Sequence, residues 1–222
     1  MANVVFVVAH PDDETLGAGG VIQRHLSVND QVYIVFVTDG YFPNDISKKI
    51  RRRRACAVEA IRHLGVKSWI FMGKRGLKLD TYPRVTLCGE LEGIMKELSP
   101  DVVYTHHHGD INIDHRCVFE MVMVACRPHK INLQCCIYSF EVPTSSEWAY
   151  PIPSSQFTPT KYVVLSPQQI ETKICAFESY SEEVLPYPSP RSRQGILNMA
   201  RFRGQSISRN FAEAFSVVRE II

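Results

Sequence analysis

Several features that mark particular protein classes are missing from this sequence. The 222 residues contain no apolar run that approaches the roughly 18 residues needed to cross a bilayer. The formal net charge is +2, so neither a nucleic acid nor an anionic membrane is indicated as a partner. The apolar run near the start has no basic region before it and no cleavage site after it, so we expect no targeting signal.

A disulfide framework is also missing, although cysteine is present. The seven cysteines have no repeating spacing and form no CxxC pair, which argues against a structural zinc knuckle. These cysteines are typical of a reduced, cytoplasmic chain. The hydrophobic fraction of 45% and the charged fraction of 22% are ordinary for a globular protein. The length favours a single domain over residues 1–222.

Short apolar runs rich in β-branched residues alternate with longer amphipathic segments. The runs predict strands at 3–9, 31–38, 68–72, 101–105, 135–140 and 161–165. The segments between them predict helices at 15–27, 47–64, 85–98, 114–126 and 167–179, with a further helical segment at 211–215. This order predicts an α/β, three-layer Rossmann-like fold with a mostly parallel central sheet flanked by helices. The proline-rich stretches 143–159 and 185–193 are predicted to be loops that wall a substrate site.

Two loops rich in potential metal ligands follow predicted strands. The sequence His10-Pro11-Asp12-Asp13-Glu14 follows the first strand, and the segment from His106 to His115 follows the fourth and holds four of the eight histidines. Ligands bind at the carboxyl ends of the strands of an open parallel sheet, and catalytic zinc takes about three nitrogen or oxygen ligands. The acidic residues of the first loop by themselves fit a helix cap equally well. The two loops together indicate a metal site.

These motifs resemble the PIG-L/LmbE zinc N-deacetylases. The resemblance rests on the His-Pro-Asp-Asp-Glu run and on Asp110-x-Asn112-x-Asp114-His115. It extends to Thr38-Asp39-Gly40, to an arginine-led helix that closes on Leu64-Gly65, and to Arg203-Gly204 with the later Ala212-Glu213-Ala214-Phe215. It therefore spans nearly the whole chain.

The resemblance implies a zinc-dependent hydrolase that removes the acetyl group from an N-acetylated amino sugar of the GlcNAc type, free, glycosidic or nucleotide-linked. His10, Asp13 and His115 would be the ligands of Zn²⁺, with another divalent transition metal left open. Asp12 would be the general base toward a water whose pKa the metal lowers. Asp114 would assist catalysis by orienting a neighbouring group.

One position departs from the family pattern. Many members carry a histidine where this chain has Asn112, whose amide donates a hydrogen bond to an oxyanion but cannot transfer a proton. We therefore expect the proton for the leaving amine to come from His106, His107 or His108. For substrate binding, the resemblance favours Arg53 among the arginines of the second helix, and we add His108 and Trp148, the latter as a surface on which a sugar stacks or as a loop anchor.

Other interpretations stay open at this point. They are a zinc amidase acting on a non-sugar N-acyl compound, a silent metal-binding protein, and a non-catalytic Rossmann-like nucleotide-binding module in which Asp39 holds a ribose. The glycines Gly17, Gly19 and Gly20 lack the G-x-G-x-x-G spacing, which argues against the nucleotide-binding module. Lys173 and Glu213 are expected to be either family site residues or a structural ion pair. A small N-acetylated molecule is the expected partner, and a homo-oligomer is left open.

Overall fold

A seven-stranded sheet forms the centre of the computed structural model, which describes residues 1–40, 46–128 and 134–221. In chain order the strands are β1 Asn3–Val8, β2 Gln31–Thr38, β3 Ser68–Lys74, β4 Val102–His106, β5 Cys136–Phe140, β6 Lys161–Val164 and β7 Ala212–Arg219. Across the sheet their order is β3-β2-β1-β4-β5-β7-β6. Strands β1 to β5 pair in parallel, whereas β7 runs antiparallel to both of its neighbours, β5 and β6.

Helices cover both faces of this sheet. They are α1 Asp13–Ser27, α2 Ile46–His63, α3 Arg84–Leu98, α4 Ile113–Ala125, α5 Pro167–Glu178 and α6 Arg193–Gln205. Side chains alternate along β1, so Val4 and Phe6 pack with α1, α2 and α5 on one face while Val5 and Val7 pack with α3 and α4 on the other. Burial on both faces explains why the inner strands are almost continuously apolar. The predicted three-layer α/β architecture is confirmed.

The predicted strands and long helices agree with the structure within two residues at each end. The helical prediction at 211–215 is wrong, because these residues lead into β7, where Phe215 pairs with Phe140 on one side and Lys161 on the other. Alanine and glutamate favour a helix locally, but an open edge beside β5 offers backbone partners that local propensity does not register. Helix α6 was not predicted, although Ser192 caps its first turn.

The two proline-rich stretches are loops, as predicted. The first contains only the single-turn helices Ser146–Trp148 and Pro153–Ser155, and the second contains no strand or helix before Arg193. None of the seven cysteines, all of which lie in the described ranges, forms a disulfide. Within the described ranges, no helix combines the length and the apolar character that crossing a membrane requires.

Helix α1 is broken in the middle, and a buried ion pair joins the two halves. Ala18 has a φ of −147°, outside the helical range. Directly after the break, Glu213 of β7 accepts hydrogen bonds from the amides of Gly20 and Val21 at 3.0 and 2.7 Å. Lys173 of α5 donates to Glu213 at 2.6 Å and to the carbonyl of Leu16 at 2.9 Å. Lys173 and Glu213 are therefore a structural pair.

Candidate active site and metal centre

Three predicted metal ligands meet at the carboxyl ends of β1 and β4. His10 and Asp13 lie on the turn from β1 into α1, and His115 lies in the first turn of α4. Oδ2 of Asp13 is 3.2 Å from Nδ1 of His10 and 3.4 Å from Nε2 of His115. Among the described residues these side chains form one group whose ligand atoms all lie within 4.8 Å of one another.

This donor set fits a zinc-sized ion. Two ligands held about 2.0–2.1 Å from one tetrahedral zinc are about 3.3–3.4 Å apart, which is close to the spacing around Asp13. Two imidazoles and one carboxylate are also donors that zinc and related divalent metals accept. Three protein ligands leave the fourth tetrahedral position open, as in catalytic rather than structural sites.

Each histidine of the group is oriented by a second carboxylate. Nε2 of His10 lies 3.0 Å from Oδ2 of Asp114, and Nδ1 of His115 lies 3.2 Å from Oδ2 of Asp110. Asp114 also accepts hydrogen bonds from the backbone amides of Leu77 and Leu79, on the loop after β3. A carboxylate on the far nitrogen of a ligating imidazole fixes the ring and strengthens its basicity. Asp114 thus touches the candidate ligand rather than the cavity.

The electrostatics of the group favour a cation. Burial lowers the pKa of a histidine, yet the hydrogen bonds to Asp114 and Asp13 raise the pKa of His10 to about 9. Asp13 and Asp110 likewise outweigh burial and raise the pKa of His115 to about 10. Burial raises the pKa of Asp13, but the neighbouring His115 holds that pKa well below its usual value. A metal ion would replace the protons that these imidazoles hold without it.

Asp12 stands beside this group in a strained backbone conformation. Its φ is 124°, which non-glycine residues rarely adopt and which is found mostly where function demands it. The carbonyl of Asp12 accepts hydrogen bonds from the amides of Thr15 and Leu16, and its amide donates to Glu14 at 3.0 Å. Its side chain makes no capping bond to α1, so the helix-cap interpretation of this carboxylate is wrong.

Two arginines hold the carboxylate of Asp12. Nη2 of Arg53 lies 3.1 Å from its Oδ2, and Nη1 of Arg191 lies 3.0 Å from the same oxygen. Burial raises the pKa of Asp12 above its usual value although both guanidinium groups oppose this. The family resemblance favours Arg53 among the arginines of α2, and in the structure Arg53 lies in this site. Its neighbour Arg54 instead forms a bidentate ion pair with Asp39, at 2.7 and 2.9 Å.

A cavity of about 240 Å³ opens over these groups. It is lined by His10, Asp12, Asp13, Gly40, Arg53, Leu77, Asn112, His115, Thr144, Ser145, Glu183 and Arg191. The predicted ligands and Asp12 therefore share one space with side chains from both proline-rich stretches or their flanks.

Arg191 and Glu183 are the site residues that the sequence did not reveal. Arg191 donates to Thr144, Asp12 and Glu183, and Glu183 also accepts from Arg53 at 2.6 Å. Their partners are as distant as 179 positions in sequence, so no local spacing marks them. The signal in the sequence for Arg191 is its position within the second proline-rich stretch, which is predicted to wall the site.

The histidines at 106–108 do not reach the cavity. His106 is buried, and its Nε2 accepts a hydrogen bond from the amide of Ala9 at 2.8 Å. Nε2 of His107 lies 2.9 Å from the carbonyl oxygen of Ser155, and Nε2 of His108 lies 2.7 Å from that of Ser154. These contacts tie the first proline-rich stretch to the end of β4. His106 instead lies behind the candidate ligands, with its Nε2 3.4 Å from Oδ2 of Asp13 and its ring stacked on that of His115.

Two further predicted residues have distinct positions. The Oδ1 atom of Asn112 accepts a hydrogen bond from the amide of Asp114 at 2.9 Å, which caps α4, and Asn112 also lines the cavity. Trp148 is 72% exposed and, like His108, does not line the cavity. Neither Trp148 nor His108 is among the residues that line the site.

Comparison with known proteins identifies the family. The sequence profile of PIG-L, described as GlcNAc-PI de-N-acetylase, matches residues 5–126. The chain belongs to the PIG-L family. A curated relative from Mycobacterium tuberculosis, 1D-myo-inositol 2-acetamido-2-deoxy-alpha-D-glucopyranoside deacetylase, is 30% identical over 46% of this chain and 43% of the relative. The match thus spans less than half the length of that curated relative.

Solved structures share the fold along nearly the whole chain. N,N'-diacetylchitobiose deacetylase from Pyrococcus horikoshii has a TM-score of 0.77 and 21% identity, with 98% of this chain and 84% of that chain covered. GalB, the 4-carboxy-2-hydroxymuconate hydratase from Pseudomonas putida, has a TM-score of 0.75 and 18% identity, with 100% and 98% covered. Because a deacetylase and a hydratase share this PIG-L fold, the fold by itself does not select the reaction.

Proposed function

We propose that this PIG-L protein is a zinc-dependent hydrolase that converts an N-acetylated amino sugar into acetate and the free amine. The observation that carries the proposal is one cavity in which a His-Asp-His donor set lies beside the carboxylate of Asp12. The deacetylase named among its relatives acts on an acetamido sugar, which supports the same class of substrate here.

The chain's own residues divide the work as follows. His10, Asp13 and His115 hold the metal, which when bound supplies Lewis acidity toward a water and a carbonyl oxygen. Asp12 accepts the proton of the attacking water, and its raised pKa brings this carboxylate nearer to the working range of a general base. The amide nitrogen of Asn112 donates a hydrogen bond to the oxygen that becomes negatively charged.

The leaving amine needs a proton, and we propose that Asp12 returns it. The histidines at 106–108 do not line the cavity, and a backbone group contacts Nε2 of each. Burial favours the protonated form of Asp12 once it has accepted a proton, because the neutral carboxyl needs less solvation. One carboxyl group would therefore serve first as base and then as acid, and no separate imidazole is required.

Acetate release tests this proposal directly. The purified chain would be analysed for bound metal and incubated with a panel of N-acetylated amino sugars and non-sugar N-acetyl amines, with and without a chelator. We expect release of acetate from a sugar, its loss with chelator, and its return when zinc is added back. A metal-bound protein that releases no acetate from any compound would contradict the proposal, and release only from non-sugar amides would support the amidase alternative.

A further inference from the structure

Four charged side chains form a closed ring on the wall of the cavity. Oε1 of Glu183 lies 2.6 Å from Nη1 of Arg53, and Oε2 of Glu183 lies 2.9 Å from Nη1 of Arg191. The same two arginines meet again at Oδ2 of Asp12, at 3.1 and 3.0 Å. Each guanidinium group is therefore shared between the two carboxylates.

The ring contains as many negative as positive charges. Arg53 is buried against Tyr180, with its guanidinium carbon 5.3 Å from the ring centre, so water does little to screen it. Without Glu183, two guanidinium groups would share the single charge of Asp12, and the cavity wall would carry an excess positive charge suited to a phosphate. Glu183 removes that excess.

The metal side of the cavity carries no excess positive charge even with a divalent metal bound, because three carboxylates face the two charges of the ion. Asp13 stands among the ligands, and Asp110 and Asp114 support the two histidines, so carboxylates surround the position of the metal. Each is buried, and buried charges act on one another more strongly than exposed ones do. An anionic group on the substrate would approach a cavity whose cations are already paired.

We propose that Glu183 is a specificity-determining residue that restricts the substrate to uncharged amino sugars and rejects those that carry a phosphate. This inference rests on the proposed deacetylase activity and refines it. It separates the free or glycosidic sugars from the nucleotide-linked and phosphorylated ones. It also assigns a role to the acidic residue that precedes the second proline-rich stretch.

The test compares N-acetylglucosamine with its 1-phosphate and 6-phosphate esters, with kcat/KM for acetate release as the readout. The wild-type protein should prefer the neutral sugar by roughly tenfold or more, because the balanced ring offers a phosphate no free cation to offset the loss of its hydration. Glu183→Gln should lower the ratio of neutral to phosphorylated turnover by about tenfold, because it frees a guanidinium group.

The neighbouring Glu182 provides a matched control. Glu182 pairs with Arg52 on the surface, where both side chains are mostly exposed, so Glu182→Gln removes the same charge one residue away. Its ratio should equal that of the wild-type protein. Arg191→Gln instead removes one of the two cations of the ring. Overall activity should fall because Asp12 loses a partner, and the preference for the neutral sugar should rise.

The outcomes separate this inference from the function on which it rests. Absence of acetate from every sugar would overturn both. Wild-type turnover of a phosphorylated sugar that matches or exceeds that of the neutral one would overturn the role of Glu183 alone. The same conclusion follows if Glu183→Gln and Glu182→Gln have the same ratio of neutral to phosphorylated turnover. If Glu183→Gln does not fold, an unchanged ratio in Arg191→Gln overturns the role of Glu183.

Discussion

At the scale of single residues, Asp12 and Asp13 are adjacent in sequence but face different partners. Asp13 points toward His10 and His115, whereas Asp12 points toward Arg53 and Arg191. The positive φ of Asp12 is what turns two successive carboxylates in these two directions. A metal ligand and a base can thus stand side by side at the start of one helix.

Substitution of these neighbours should separate catalysis from metal binding. Asp12→Asn should retain the metal but lose activity by roughly 10²–10⁴-fold, because the amide cannot accept the proton. His115→Ala should lose the metal as well as the activity, since it removes a ligand. Metal analysis of the purified variants together with acetate release measures both effects, and a fully active Asp12→Asn protein would refute the assignment of the base.

The residue scale also marks the limit of what sequence patterns predict. His10, Asp13 and His115 stand in motifs whose spacing is local, so their meeting could be foreseen once the strand order was known. The histidines at 106–108 have the right chemistry but do not line the cavity, and a backbone amide or carbonyl occupies Nε2 of each ring. Residue type predicted what they can do, and only packing determined what they contact.

At the scale of elements, the break in α1 allows its first turn to carry the site while its second half packs in the core. The ion pair of Lys173 and Glu213 forms hydrogen bonds with two amides and one carbonyl on either side of the break. A Cβ atom on Gly20 would collide with the side chain of Leu165 and would also lie 3.2 Å from the carboxylate of Glu213. The glycine at this position in α1 therefore serves packing.

Loss of this buried pair should destabilise the fold far more than loss of a surface pair. Lys173→Met leaves Glu213 as a buried charge without its cation, and we expect a loss of about 3–5 kcal/mol in the free energy of unfolding. Arg52→Met, which breaks the exposed pair with Glu182, should cost less than about 1 kcal/mol. Urea denaturation of the two variants measures this difference, and equal costs would show that the pair does not hold α1 together.

At the scale of the whole molecule, the parallel sheet brings distant loops to one edge. The turn after β1, the loops after β3 and β4, and the proline-rich stretches all meet around a cavity that none of them could form alone. Several elements converge on the metal ligands, so metal binding should be coupled to the stability of the entire fold.

Zinc should therefore raise the stability of the protein in a concentration-dependent manner. Free zinc at 100 times its Kd should add about 2.7 kcal/mol to the free energy of unfolding, provided that zinc binds only the folded state. Thermal unfolding of chelator-treated protein at increasing zinc concentrations measures this gain. The His115→Ala variant is the control, and an equal rise of Tm in that variant would place the binding elsewhere.

Local sequence patterns were enough to predict the inner strands and the candidate metal ligands of this protein. Apolar runs that must be covered on both faces specify β1, β2 and β4, and short motifs at their ends specify the candidate metal ligands, because both signals are local. The tertiary structure alone decided that Ala212–Arg219 adds a strand beside β5 and that Glu183 and Arg191 close a ring with Asp12. Those partners lie far apart along the chain. Pairing between distant segments depends on which surfaces the folded core leaves open, because no pattern within either segment specifies the other.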